Sequence, residues 1–345
     1  MSASLRSRFL ARLWERVRGQ GPTAVLYFHS PCFDGIVSAV IAWDFAEAVL
    51  EWRVRDLQSV NYDRRSSWLS GRLSEPCAVV DFLYHPQATF WADHHSTTFL
   101  SAEAERDFGR RRSNFLIYDG HADACAQLLW DRLDGDFQYR NPRYAELVAW
   151  ATKTDAARYS SVREAIEGTA PALRINGSLA HSGEESGYSA WLVRQLRRES
   201  LEAVANLPEV CRRYERFRLD IAKGLALFKE RARLDHGVVV FDVDAADAIV
   251  PRYAPYYFFP DARYSAGMIR RGSSTTITAM RNPWRESAGV HLGKMFESLG
   301  GGGHERVGSV VLRGADASRA EGVFDQLLDV LQQRRDRRVS GSYSR

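Results

Sequence analysis

The feature that most constrains this chain is a series of short apolar runs in its first half. The runs 24–28, 77–81, 88–93 and 114–119 are rich in β-branched and aromatic residues, which is typical of buried strands. Patterns with helical spacing follow the first and the last of these runs. Strands that alternate with helices predict an α/β fold, in which a parallel sheet carries helices on both faces.

The second half of the chain changes character twice. It is mostly helical from about 142 to 233, and it then returns to strand patterns over 237–243, 263–271, 274–281 and 308–314. This indicates a helical linker followed by a smaller C-terminal α/β domain with a mixed sheet. We predict an N-terminal amphipathic helix over 1–20, a first domain over 21–195, a linker helix over 196–235, a second domain over 236–335 and a basic disordered tail over 336–345.

Composition restricts the surroundings and the partners of the chain. No apolar run among the 345 residues is long enough to span a bilayer, and the four cysteines form no C-x-x-C pair. A cytoplasmic protein in a reducing compartment, with no membrane partner, is therefore expected. The net charge is only +4, which argues against tracking along nucleic acid over long distances.

Ionisable residues stand where the predicted strands end. Because the carboxyl ends of parallel strands share one edge of a sheet, these residues should converge there. Imidazoles mixed with carboxylates suit a cation such as manganese, and one or two such ions generate hydroxide from water at neutral pH. Each residue alone has an ordinary structural explanation, such as a helix cap for Asp34, but three strand ends together favour a metal site. The residues are His29, Asp34, Asp81, Asp93, His94 and His95.

Four segments of the first half resemble, in order, the motifs of the DHH phosphoesterases. They are "FHSPCFDG", "VVD", "ADHHST" and "WATKTDAARY". That superfamily includes RecJ-type exonucleases, nano-RNases and manganese pyrophosphatases. Two later segments, "ITAMRNP" and "MFESLGGGGHERVGS", resemble the associated DHHA1 domain. The resemblance covers roughly 22–335 and makes the first domain a DHH metal-binding catalytic domain and the second a DHHA1 substrate-binding domain.

The resemblance implies a role for each matching residue. His29 and Asp81 would hold one metal ion, and a second ion would be held by Asp34, Asp81, His94 and Asp155. His95 would face the substrate phosphate as a proton donor or charge stabiliser, and Asp93 would orient its neighbours. Substrate would be bound in the second domain by Arg281, Gly301, Gly302, Gly303 and His304.

The first motif departs from the family pattern of a histidine, three residues, an aspartate, one residue and a second aspartate. Asp34 is its one aspartate and fits the second position, so that Cys32 stands in the first. We therefore expect the ion held by His29 to bind weakly, or one ion alone to bind tightly. A Cys32 thiolate ligand and a small packing side chain are both open.

The resemblance implies a metal-dependent phosphoesterase that uses Mn²⁺, with Mg²⁺ as an alternative, through one or two ions. Its expected substrates are short oligonucleotides or small nucleotides, cleaved at phosphodiester or phosphomonoester bonds, and a homodimer is compatible with the sequence. Two alternatives stay open. One is a hydrolase of pyrophosphate or polyphosphate, and the other is a degenerate, non-catalytic nucleotide-binding protein.

Overall fold

The computed structural model describes residues 21–184, 187–286 and 288–339. The helix predicted over 1–20 and the end of the predicted tail lie outside these residues. The chain forms two compact units. The first unit contains 21–156 and 174–211, and the second contains 157–173 and 212–339. The segment 157–173 thus belongs to the unit that holds the C-terminal half of the chain.

The first unit is built on a five-stranded parallel sheet with the strand order β2-β1-β3-β4-β5. The central strands are buried along their whole length, as expected when helices and loops cover both faces of a parallel sheet. This confirms the predicted fold class. The strands are β1 (Thr23–His29), β2 (Arg53–Val60), β3 (Cys77–Val80), β4 (Phe90–Asp93) and β5 (Leu116–Tyr118).

The second unit contains a mixed six-stranded sheet with the order β10-β11-β9-β8-β7-β6. One pair, β7 with β8, is parallel, and the other neighbouring pairs are antiparallel. The mixed sheet was predicted, but its two short edge strands were not. The strands are β6 (Arg233–Asp235), β7 (Val238–Asp244), β8 (Tyr264–Arg271), β9 (Ser274–Arg281), β10 (Gly302–His304) and β11 (Val307–Arg313).

Twelve α-helices accompany the two sheets within the described residues, and the last of them extends into the segment predicted as disordered. None of them is both long and apolar enough to cross a membrane. They are α1 (Phe33–Ala48), α2 (Ala102–Arg110), α3 (Cys125–Phe137), α4 (Ala145–Asp155), α5 (Val162–Glu167), α6 (Pro171–Ser178), α7 (Tyr188–Arg198), α8 (Leu201–Ala205), α9 (Pro208–Arg231), α10 (Ala254–Phe258), α11 (Leu292–Ser298) and α12 (Ala320–Val339).

Helix α1 begins at the carboxyl edge of the first sheet, next to the end of β1. It is buried over most of its length and packs against α3, α4 and α7. Its N-terminus follows directly from the carboxyl end of β1, and the close approach requires glycine at position 35. A Cβ there would lie 2.1 Å from the carbonyl oxygen of His29. The first turn of α1 is therefore held at the end of the strand that carries His29.

Candidate metal centre

The first unit brings all the predicted metal-site residues to one edge of its sheet. His29 ends β1, Asp81 follows β3, and Asp93 ends β4, and these three strands are neighbours in the sheet. Asp34 lies in the first turn of α1, and Asp155 is the last residue of α4. The convergence expected from the strand ends is observed, although the role of each residue stays a prediction.

His94 lies at the centre of the cluster and is buried. Its Nε2 is 3.8 Å from Asp34 Oδ2, 3.6 Å from Asp81 Oδ1 and 3.4 Å from Asp155 Oδ2. Its other ring nitrogen, Nδ1, lies 3.0 Å from the carbonyl oxygen of Ala122. Since a carbonyl oxygen only accepts, Nδ1 carries the proton and Nε2 presents its lone pair to the carboxylates. A backbone contact of this kind orients a metal-binding histidine.

Asp81 connects this cluster with His29. Its Oδ2 lies 3.3 Å from His29 Nδ1, while its Oδ1 faces His94 Nε2. The Oδ1 atom is buried and has no hydrogen-bond partner among the described residues. A buried carboxylate oxygen without a partner is destabilising unless a cation or a donor satisfies it. The position of Asp81 therefore suits the bridging role that the resemblance implied.

The carboxylates are crowded enough to favour a bound cation. Burial raises the pKa of Asp34 well above its usual range, and the charges of Asp81 and Asp155 raise it further. Two donor atoms that are each about 2.1 Å from one ion lie roughly 3 to 3.6 Å apart. The distances from His94 Nε2 to Asp81 and Asp155 fall in or at the edge of this range, and a mixture of imidazole and carboxylate ligands suits a divalent metal ion. These residues therefore fit the metal centre that the sequence predicted.

Asp34 also holds the cluster to a second helix. Its Oδ2 accepts a hydrogen bond from the backbone N–H of Cys125 at 2.7 Å, and its Oδ1 accepts one from Ala126 at 2.9 Å. These N–H groups begin α3, whose preceding residue Ala124 offers no side-chain cap. Asp34 thus caps α3 from another part of the chain. It does not cap α1, the helix in which it lies, because the N-cap of α1 is Cys32 and forms no side-chain cap hydrogen bond. The explanation of Asp34 as the cap of the helix that follows it was therefore wrong, while its position suits a metal-site carboxylate.

Buried Asp93 forms an ion pair with partly exposed His95 beside the cluster. Asp93 Oδ1 lies 2.7 Å from His95 Nδ1 and accepts the backbone N–H of His94 at 2.8 Å. Thr98 donates its hydroxyl to Asp93 Oδ2 at 2.5 Å. Asp93 is therefore satisfied by neighbours of its own loop, which suits an orienting role better than a ligand role.

The Asp93 carboxylate favours the imidazolium form of His95. Burial alone would lower the pKa of His95, but the charge of Asp93 and its hydrogen bond raise it to about 10. Burial alone would raise the pKa of Asp93, but the charge of His95 lowers it. The side chain of His95 is 18% exposed, against 3% for His94. His95 is thus a positive group, accessible from solvent, at the border of the metal cluster.

Tyr62 is a site residue that sequence reasoning missed. Its ring lies 5.1 Å from that of His29, 5.4 Å from Phe82 and 6.0 Å from His95, measured between centroids. Tyr62 lies two residues after the end of β2. Because β2 was not predicted from the sequence, residues that follow it were not considered as candidates for the site. It forms an aromatic wall on the His29 side of the cluster.

Cys32 is close enough to take part in the site. Its sulfur and donor atoms of His29 and Asp81 all lie within 4.8 Å of one another. Burial raises the pKa of the Cys32 thiol well above its usual range, and the charges of Asp81, Asp155 and Asp34 raise it further. These surroundings favour the neutral thiol, which is a poor metal ligand compared with a thiolate or a carboxylate.

Replacing Cys32 by aspartate is expected to tighten the weaker of two Mn²⁺ binding steps by about tenfold or more. The reason is that a carboxylate then completes the ligand set of His29 and Asp81, at the position where the family pattern has one. Calorimetric titration of metal-free protein measures it, with Cys32→Ser as the neutral control. Two equally tight ions in the unchanged protein, or loss of one ion in Cys32→Ser, would contradict this expectation.

The predicted substrate-binding residues of the second unit lie at one end of three neighbouring strands. Arg281 ends β9, and His304 ends β10, with β11 between them. Arg281 is 6% exposed, and its Nη2 donates to Glu305 Oε1 at 3.0 Å and to the carbonyl oxygen of Val290 at 3.4 Å. Glu305, which sequence reasoning did not single out, therefore neutralises the arginine from an exposed position.

The glycine run has a structural explanation at two of its predicted positions. A Cβ at Gly301 would lie 2.2 Å from the carbonyl oxygen of Ser309, and one at Gly303 would lie 2.2 Å from that of Val307. Gly303 also has a φ of +152°, which disfavours other residues. Gly302 faces open space. The close packing of β10 on β11 accounts for Gly301 and Gly303, while Gly302 leaves its backbone accessible.

Comparisons with known proteins give no match from sequence. No protein-family model matches the chain, and no curated protein matches it. Solved structures do match. The pGpG-specific phosphodiesterase PggH from Vibrio cholerae has a TM-score of 0.64 and 18% identity, and the match covers 90% of this chain and 99% of that one.

A second match is RecJ from Thermus thermophilus, solved in complex with Mn²⁺. Its TM-score is 0.54 and its identity 16%, and the match covers 96% of this chain. The match spans 54% of RecJ, so this chain corresponds to about half of that protein. Both structures are DHH-family proteins. The chain has the fold of the DHH family, and the resemblance that its motifs predicted is confirmed at the level of fold.

Proposed function

We propose that this chain is a metal-dependent phosphoesterase that hydrolyses phosphodiester or phosphomonoester bonds of short oligonucleotides or small nucleotides. The observation that carries the proposal is the set of three carboxylates around buried His94 Nε2, two of them buried (Asp34 and Asp81) and one partly exposed (Asp155), with His29 beside it, at the carboxyl edge of a parallel sheet. Support comes from two matched structures of the same fold, a phosphodiesterase specific for pGpG and RecJ bound to Mn²⁺.

The proposed cofactor is Mn²⁺, with Mg²⁺ as the alternative, bound by His94, Asp34, Asp81 and Asp155 and, more weakly, by His29 with Asp81. When bound, the ions supply an activated water at neutral pH and offset negative charge on the phosphoryl oxygens. Asp81 contributes one carboxylate oxygen toward each half of the site. Asp34 keeps its place by accepting two N–H groups at the start of α3.

The groups outside the ligand set have separate proposed tasks. His95, held as an imidazolium through the contact of its Nδ1 with Asp93, has its Nε2–H left for substrate, which either donates a hydrogen bond to a phosphoryl oxygen or gives its proton to the departing oxygen. Thr98 and the backbone N–H of His94 keep Asp93 in place for this purpose. In the second unit, Arg281 and His304 bind substrate phosphate, and the accessible backbone of Gly302 allows close contact. Arg281 must exchange Glu305 for the phosphate.

The substrate class can be tested with one panel of compounds. Purified protein with Mn²⁺ is incubated with RNA and DNA of two to five nucleotides, with cyclic dinucleotides and with pyrophosphate. Products are separated by chromatography, and released phosphate is measured. We expect mononucleotides from the short oligonucleotides and little phosphate from pyrophosphate. Rapid phosphate release from pyrophosphate alone would instead identify a pyrophosphate hydrolase, and no product from any compound would favour a binding protein.

A further inference from the structure

A cavity lies in the first unit, outside the metal centre, and we call it the arginine pocket. Its volume is about 310 Å³, which is at the lower end of the range for small-molecule sites. The chain segment after β2 forms most of it, and β1 and β2 supply the remainder. The lining residues used below are Tyr27, Gln58, Arg64, Ser67, Trp68 and Arg72.

The arginine pocket is electropositive. Arg64 and Arg72 are its charged lining residues, and no carboxylate lines it. Neither arginine forms an ion pair with an acidic side chain in the described part of the chain. The remaining lining contains amide and hydroxyl groups, including Gln58 and Ser67. The amide of Gln58 already donates to Asp56 Oδ2 at 2.9 Å, and the hydroxyl of Ser67 donates to the carbonyl oxygen of Arg64 at 3.3 Å. The two guanidinium groups are therefore the groups that suit an anion, and above all a phosphate oxygen.

Hydrogen bonds within the protein hold two lining residues of the pocket, Trp68 and Gly71, in place without a ligand. The indole N–H of Trp68 donates to the carbonyl oxygens of Leu83 at 3.0 Å and Tyr84 at 3.2 Å. Buried His85 donates from Nε2 to the carbonyl oxygen of Gly71 at 3.2 Å. Its Nδ1 accepts the backbone N–H of Gln87, so the ring proton of the neutral imidazole is on Nε2. An ordered frame reduces the entropy lost on binding.

Contacts between aromatic rings connect Trp68 of the pocket with His29 of the metal centre. Tyr62 packs against His29 of the metal centre at 5.1 Å between ring centroids, and Arg64 lies two residues further along the same short turn. Phe82 contacts Trp68 at 4.9 Å on the pocket side and Tyr62 at 5.4 Å on the other. Two aromatic rings, Tyr62 and Phe82, thus lie between Trp68 and His29, and this proximity is the basis for considering the pocket as a second contact of a substrate bound at the metal centre.

We propose that the arginine pocket binds a phosphate of the substrate chain other than the one that is cleaved. This inference rests on the proposed function, because it takes an oligonucleotide as the substrate. Arg64 and Arg72 contact the phosphate, and Tyr62 separates this site from the metal centre. The pocket would then favour substrates with more than one phosphate over those with a single phosphate.

The test compares the double variant Arg64→Ala/Arg72→Ala with the matched control Arg112→Ala/Arg143→Ala, which removes two exposed arginines of the same unit from outside the pocket. Binding of a fluorescein-labelled pentanucleotide is measured by anisotropy in EDTA, so that hydrolysis plays no part. The pocket variant should bind about tenfold more weakly than the control. For the pocket variant, the slope of log Kd against the logarithm of the salt concentration should also be smaller by about 0.7, the value for one lost phosphate contact. Equal dissociation constants for the two double variants would overturn the proposal.

Kinetics with Mn²⁺ separate this proposal from the proposed function. The pocket variant should lose about tenfold in kcat/KM on a pentanucleotide and little on a dinucleotide with one phosphate. Equal losses on both substrates would overturn the proposal. No hydrolysis by any variant would refute the proposed function, while the anisotropy result would still decide on the pocket.

Inorganic phosphate is the last probe. If millimolar phosphate saturates the pocket without displacing the pentanucleotide, the pocket is a free-anion site and the substrate-chain proposal fails.

Discussion

Replacing Asp81 by asparagine is expected to lower kcat by at least about 10³-fold, which corresponds to about 4 kcal/mol of transition-state stabilisation. Asp81 directs one carboxylate oxygen toward His29 and the other toward His94, so the change weakens both halves of the metal centre. Asparagine is the suitable replacement because Asp81 has a φ of +56°, a left-handed conformation that asparagine tolerates better than most residues.

The same variant separates a metal-binding role from a structural one. Burial and the Asp81 charge raise the pKa of Asp34, so removing that charge relieves repulsion in the metal-free protein. In EDTA, Asp81→Asn should therefore melt at the same temperature as the unchanged protein or a few degrees higher. On addition of Mn²⁺ the unchanged protein should gain stability and the variant should gain much less.

Asp131→Asn is the matched control, because it removes an exposed acid from α3 of the same unit. It should keep both the activity and the stabilisation by Mn²⁺. Activity of Asp81→Asn within tenfold of the unchanged enzyme would contradict the assigned metal centre. A melting temperature in EDTA far below that of the unchanged protein would show instead that Asp81 mainly holds the fold.

Replacing His95 by glutamine is expected to lower kcat by about 10²- to 10⁴-fold while metal binding is retained. His95 pairs with Asp93 at 2.7 Å and lies farther, at 3.8 Å, from Asp81 Oδ1. Glutamine can still donate a hydrogen bond but carries no transferable proton, so the loss should appear in kcat more than in KM. The measurement is steady-state kinetics combined with a calorimetric Mn²⁺ titration.

His94→Gln supplies the contrast on the neighbouring residue. Its Nε2 lies within 3.8 Å of three carboxylates, so this variant should lose Mn²⁺ affinity together with activity. If the His95 variant loses the metal and the His94 variant keeps it, the two histidines have exchanged the roles assigned here. Equal metal loss in both would place both histidines in the ligand set.

The sequence predicted the buried strands of both sheets better than the exposed ones. β3 and β4 are apolar throughout because both of their faces are covered, and such strands are recognisable from composition. β2, β6 and β10 escaped prediction. β2 is half exposed and mixes charged with apolar residues, while β6 and β10 have three residues each and stand at sheet edges. Their pairing is decided by neighbours distant in the chain.

The convergence of the candidate metal-site residues could be predicted from the same strand pattern as the fold, whereas contacts between distant segments could not. Residues at the ends of recognised strands converge because the parallel sheet aligns those ends. Contacts that link distant segments have no local signal in the sequence. Asp34 caps a helix that starts about ninety residues later. Glu305, which lies between β10 and β11, neutralises Arg281 at the end of β9. Tyr62 was missed because β2 was missed.

Hydrolysis of a short oligonucleotide by the purified protein is the most direct test of the proposed metal-dependent phosphoesterase activity. The protein is incubated with a di- to pentanucleotide and Mn²⁺, and mononucleotides are quantified by chromatography, with Asp81→Asn and an EDTA sample in parallel. If the proposed function is correct, mononucleotides are released only with Mn²⁺, and their release falls by about 10³-fold in the variant. Absence of release by the unchanged protein, or equal release by Asp81→Asn or in EDTA, would contradict it.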